Sequence, residues 1–104
     1  MILKRKEIAV IVLTVKIRSK KDKIDQTRAL LKSFVAPSQA EKGCVQYELF
    51  EGAKDSQIFY FFEKWESQAA FELHSQQPFL KKFRELYGEL LEQPNELLPL
   101  RVVG

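Results

Sequence analysis

One cysteine, one histidine, one tryptophan and four glycines in 104 residues exclude several common chemistries at the outset. Cys44 has no partner for an internal disulfide and fits a reducing compartment. With the single histidine far from it in the chain, it is a weak nucleophile, and a free cysteine is ordinarily a small buried hydrophobe. Four scattered glycines build no Gly-rich phosphate loop, so no tightly held flavin is expected. No apolar run approaches the roughly 20 residues of a membrane helix. The segment Lys4-Arg5-Lys6 followed by Ile8 to Leu13 imitates a signal peptide, but no small-x-small cleavage site follows and charge resumes at Lys16. A cytoplasmic protein without a membrane partner is expected.

The net charge of +3 and pI near 9.0 raise the question of nucleic acid, and the distribution of charge answers it. Residues 1–23 carry eight Lys/Arg against Glu7 and Asp22, whereas residues 24–104 carry nine against twelve acids. The basic character belongs to one end, where a solvated strand edge and loop explain it more simply than a phosphate-tracking groove. At this length the chain reads as a single domain over residues 1–104, with enough buried surface for a core that needs no metal or disulfide.

The β-branched run Ile8 to Ile17 predicts a central strand buried on both faces or close to it. Asp22 is placed to cap a helix from Lys23, whose stripe is Ile24, Thr27, Leu31, Phe34 and Val35, and which Ala36-Pro37 ends. Ser38 and Glu41 have capping-box spacing for one helical turn, closed by Gly43. Val45 to Glu51 alternates, with Val45, Tyr47 and Leu49 on one face. Gly52 to Ser56 is turn chemistry, so a hairpin leads into Ile58 to Trp65. That second strand is apolar on both sides, Ile58, Tyr60 and Phe62 opposing Phe59, Phe61 and Trp65. Ser67 caps a short helix with Ala70, Phe71 and His74 on one side. Pro78 opens a helix with the stripe Phe79, Phe83, Leu86, Tyr87 and Leu90, which Pro94 stops. Leu97 to Val103 is a last strand, and Pro99 in it argues for a sheet edge or a bulge.

The order β-α-β-β-α-β is the α+β, ferredoxin-like arrangement: one antiparallel sheet with helices on one face. Two helices cover one face only, while Ile58 to Trp65 asks for cover on both. A second copy of the chain is the expected cover, making a homodimer.

Gly43-Cys44-x-x-Tyr47-x-Leu49, then Tyr60-Phe61-Phe62-Glu63-Lys64-Trp65, Ala69-Ala70-Phe71-x-x-His74 and Pro78-Phe79 together resemble the antibiotic biosynthesis monooxygenase domain. The resemblance implies a dimeric α/β barrel with a pocket in each subunit between sheet and helices. It also implies one of several activities: oxidation of quinols or polyketide phenols by O₂ without metal or flavin, haem degradation, or isomerisation of a phosphorylated sugar. The haem-degrading members use an Asn, a Trp and an axial His at places that correspond here to Val15, His74 and Phe83. None matches, so no haem and no other cofactor is expected.

Oxidation of a small aromatic substrate by O₂ alone requires an electron-rich phenolate, and therefore a base, an oxyanion donor and a dry aromatic cavity. His74 is the expected base, Trp65 the expected wall and indole N–H donor, and Glu63, on the same strand face as Trp65, a carboxyl poised by burial. Tyr47, Tyr60, Phe61 and Phe71 are the expected substrate pocket. Each has an ordinary alternative, since a lone His on an apolar helix face, or a Trp at the end of a buried strand, is often packing. An RNA-recognition domain shares the same element order, but its third-strand motif needs a Gly and a basic residue, which Ser56 to Phe62 lacks. An isomerase, or a dimer that only binds an aromatic ligand, stays open.

Overall fold

The computed structural model describes residues 11–104, and residues 8–10 of the expected first strand lie outside it. Strand β1 (Ile11–Arg18) alternates, with Leu13, Val15 and Ile17 buried and their neighbours half-buried, so only one of its faces is core. It is central as expected: the sheet runs β2-β3-β1-β4, all neighbours antiparallel, with β2 Cys44–Glu51, β3 Ile58–Trp65 and β4 Glu96–Leu100. The α+β, ferredoxin-like fold is thus realised. Pro99 lies on the edge strand β4, the place in a sheet where proline is tolerated.

Helix α1 (Ile24–Ser33) follows a 3₁₀ turn, Lys21–Lys23, so it begins one residue later than expected and Asp22 does not cap it. Nor does Pro37 end a helix. It sits in the first turn of a short helix α2 (Val35–Gln39), where its missing N–H has no intrahelical partner to lose. The capping box fails for the same reason: Ser38 is inside α2 and caps no helix, and the Glu41 side chain turns to His74. Ser67 does cap α3 (Gln68–Ser75), accepting from the Ala70 N–H at 3.1 Å. The long C-terminal stripe is split at Leu86 into α4 (Pro78–Glu85) and α5 (Tyr87–Leu90). No helix among the described residues is long and apolar enough to cross a membrane.

The core lies between one sheet face and these helices, built on Ile17, Leu31, Phe34, Phe59, Phe61, Trp65 and Phe83. Strand β2 carries a bulge: Cys44 pairs with Trp65 and Gln46 with Lys64, leaving Val45 between them. Val45 is therefore 52% exposed and not on the face of Tyr47, while Cys44 takes the inward place. Gly43, ahead of the bulge, has φ 89°, and a Cβ there would lie 2.6 Å from the Cβ of Ala70 on α3. Gly43→Ala is expected to cost about 1–3 kcal/mol, from the strained backbone and the displaced helix. Chemical unfolding checks this, and an unchanged midpoint would mean that the contact relaxes freely.

Candidate active site

Three separated segments deliver three titratable side chains to one place. The parity of β3 turns Glu63 and Trp65 inward side by side, and Trp65 donates its Nε1–H to Glu63 Oε1 at 2.9 Å. Helix α3 brings His74 over them. Its ring packs on the Trp65 indole with centroids 4.4 Å apart, and its Nε2 lies 3.8 Å from the same Glu63 oxygen. From the loop after α2 comes Glu41, whose Oε2 lies 3.0 Å from His74 Nδ1. Tyr47 of β2 closes the group edge-on to both rings, 5.3 Å from His74 and 6.3 Å from Trp65.

These groups sit out of water, and that governs their titration. Glu63 is 3% exposed, and burial first, then repulsion from Glu41, push its carboxyl up to about 7 against the opposing hydrogen bond from Trp65. Burial pulls His74 below the usual imidazole range, with the Glu41 hydrogen bond resisting. At neutral pH the site thus holds a half-protonated carboxyl beside a largely neutral imidazole. Burial, then Glu63, push the Tyr47 phenol up, so it stays protonated. Burial and the nearby Glu41 and Glu63 raise the Cys44 thiol, which keeps it a poor nucleophile.

Glu63 and His74 line a cavity of about 280 Å³ between sheet and helices, walled by Val15, Ile17, Tyr47, Phe61, Phe71, Leu80 and Phe83. Its outer end is formed by Arg84, Tyr87, Asn95 and the half-exposed Leu97, with the Tyr87 hydroxyl donating to Asn95 Oδ1. Another concavity, about 520 Å³, lies open beside β2 on the α1 side. Its Arg28 is already bound by Glu51 at 2.7 Å and Asp25 at 2.8 Å.

The expected site residues divide cleanly. His74, Glu63, Tyr47, Phe61 and Phe71 come together around the cavity. Trp65 is fully buried behind Glu63 and does not line it; its N–H is already given to that carboxyl, so it offers no free N–H donor to the cavity. Tyr60 does not line the cavity either, because β3 alternation turns it to the opposite sheet face. Sequence reasoning missed Glu41, Arg84, Tyr87, Asn95 and Leu97. Tyr87 and Leu97 stand in the sequence as a helix stripe and a last strand, and the spacing of Glu41 from Ser38 gives it a local explanation.

Comparison with known proteins decides the family. The family model described as antibiotic biosynthesis monooxygenase matches residues 10–86. The chain belongs to the antibiotic biosynthesis monooxygenase family. It is 37% identical over 87 residues to "Uncharacterized protein sll1783" of Synechocystis sp., covering 84% of this chain and 59% of that protein. It is 37% identical over 67 residues to "Putative monooxygenase Rv0793" of Mycobacterium tuberculosis, covering 64% of this chain and 65% of that one. The chain thus spans about three fifths of the length of these two relatives. The crystal structure of PA3566 from Pseudomonas aeruginosa superposes with a TM-score of 0.86 at 29% identity, covering 92% of this chain and 96% of that one. Both the family description and the name of the Mycobacterium tuberculosis relative speak of monooxygenases.

Proposed function

We propose that this member of the family is a cofactor-independent monooxygenase that oxidises a small quinol or phenol with O₂, and that Glu63 is its base. One observation carries the reading: a buried carboxyl, pushed by burial up to about 7, lines a largely apolar, aromatic cavity beside an imidazole. This moves the base from His74, the expected one, to its neighbour. Glu63 takes the proton of a substrate hydroxyl, leaving a phenolate able to reduce O₂. The carbon para or ortho to that oxygen forms a C–O bond to O₂, and the peroxide accepts a proton. Loss of the C–H proton with cleavage of the O–O bond yields the quinone carbonyl and water. Four electrons leave the ring and both oxygen atoms are accounted for. Tyr47, held protonated, is the candidate donor to the developing oxyanion, and the Arg84 and Asn95 donors at the mouth suit an oxygen at the substrate's far end.

The volume sits just below the range of about 300–1,000 Å³ common for ligand pockets, which favours one- or two-ring substrates over long polyketides. The test is oxygen uptake by the metal-free protein against a panel of such quinols and phenols, corrected with denatured protein. Uptake matched by quinone formation is expected, with a rate that rises with pH through about 7 as Glu63 loses its proton. No uptake above the denatured control for any compound would remove the reading. The same acid–base pair also suits an isomerase, which would instead show substrate C–H exchange in deuterated water with no oxygen consumed.

A homodimer belongs to the same proposal. The sheet face away from the helices presents Tyr60 and Phe62 of β3 with exposed Phe50, Leu98 and Leu100, an apolar surface for which a second copy is the simplest cover. Light scattering should give twice the chain mass at micromolar concentration, and Phe62→Glu should shift it to one. A wild-type monomer would refute the coverage argument without touching the cavity chemistry.

A further inference from the structure

We propose that Glu41 is the outlet of a proton relay, in which protons that Glu63 exchanges with a molecule in the cavity pass through His74 to Glu41 and from there to solvent, away from the cavity mouth. The inference rests on the reading of Glu63 as the base and adds a positioning residue with a route of its own.

The two imidazole nitrogens face different carboxyls: Nδ1 is hydrogen-bonded to Glu41 at 3.0 Å, and Nε2 points towards Glu63 at 3.8 Å. A ring so placed can take a proton at one nitrogen and release another from the opposite one. It packs against two aromatic neighbours, with centroids 4.4 Å from Trp65 and 5.3 Å from Tyr47. Access to water is confined to the far end of the chain: the Glu63 and His74 side chains are 4% and 3% exposed, that of Glu41 13%. Glu41 does not line the cavity, so its access to water is not through the mouth. The loop that carries it is pinned against α3 by the tight passage of Gly43 past Ala70, and the Gly43 carbonyl accepts from the Glu66 N–H at 2.8 Å. The separation of 3.8 Å exceeds a hydrogen bond, and catalytic contacts of this kind commonly shorten when substrate fills the site.

The proton balance closes. In the forward direction the substrate O–H breaks and the proton goes to Glu63; Glu63 passes it to His74 Nε2, and the proton on Nδ1 moves to Glu41. When the peroxide takes up a proton the chain runs backwards, so His74 regains its first tautomer within one turnover. The titratable groups facing this ring are Glu41, Glu63 and the Tyr47 phenol, with Cys44 close to both carboxylates.

Glu41→Gln keeps the shape and an acceptor but cannot carry the proton. With a quinol that the wild-type protein turns over, kcat is expected to fall roughly 10²-fold with KM unchanged, and added imidazole or formate should restore much of it. An unchanged kcat, or a loss that small buffers fail to relieve, overturns the relay, since a merely structural Glu41 would not respond to buffer. A second measurement needs no substrate. His74 is the only histidine, so its ring ¹⁵N signals are unambiguous. The wild-type protein should show a protonated Nδ1 and a bare Nε2 above neutral pH, and Glu41→Gln should titrate His74 lower, as loss of the carboxylate requires. The opposite tautomer, or no change in the titration, overturns the relay as well. Absence of oxygen uptake with every quinol, alongside substrate C–H exchange that Glu41→Gln slows and small buffers restore, would sink the oxygenase reading and leave Glu63 as base and the relay standing.

Discussion

Glu63→Gln is expected to lower turnover by roughly 10²- to 10⁴-fold, the worth of a general base, and to make the folded protein more stable at pH 8. The two effects share one cause. Burial pushes the folded carboxyl up to about 7 from an ordinary value of 4.5, so the folded chain holds this proton more tightly than the unfolded chain does. Below the unfolded value the group is neutral in both states and costs nothing. As pH rises towards the folded value a penalty builds, reaching about 3 kcal/mol above it at about 1.4 kcal/mol per pKa unit. Glutamine carries no such penalty, and its amide oxygen still accepts from Trp65. Melting temperatures of the two proteins should therefore converge near pH 4 and separate at pH 8 with the variant higher. A variant less stable at pH 8 would mean that the Glu63 charge is compensated by something other than Trp65. A variant with full turnover would take the base away from Glu63.

The second large effect is His74→Ala. Turnover should fall by roughly 10²-fold or more. Stability should fall by about 1–3 kcal/mol, because the substitution strips Trp65 of its stacking partner and leaves Glu41 without the group it binds. Added imidazole should recover part of the rate but none of the melting temperature. If His74 were only packing, the rate would survive and the melting temperature alone would drop, which would remove it from the chemistry and leave Glu63 to act alone.

Much of this site could be read from residue order because it is written in local periodicity. The alternation of β3 puts Glu63 beside Trp65 whatever the rest of the chain does, and the Ser67 cap fixes the phase of α3 that points His74 inward. The same alternation separates Tyr60 from Phe61 but cannot say which face meets the helices when both are aromatic, so an expected pocket that holds both residues keeps only Phe61. The contact between Glu41 and His74 spans 33 residues and has no spacing to announce it. A plausible local use for Glu41, the pairing with Ser38, stood in its place. Trp65 shows a subtler limit: its position was foreseen, but the use of its one N–H depends on which acceptor is nearer, and that is a matter of ångströms.

The bulge at Val45 gives this arrangement an unusual dependence on chain length. In an unbroken strand, Cys44 and Tyr47 would point to opposite faces, since they are an odd number of residues apart. The additional residue lets both point inward, and so allows the turn at Gly43 to pass under Ala70 while the hairpin beyond stays in register. Removing that one residue would leave every member of the acid–base group unchanged in identity and still swing the Glu41 segment off the α3 helix. A loss of this kind would be invisible to a comparison of residue types at these positions and plain to a count of the residues between them, so the interval from Glu41 to Tyr47 is itself a heritable part of the site.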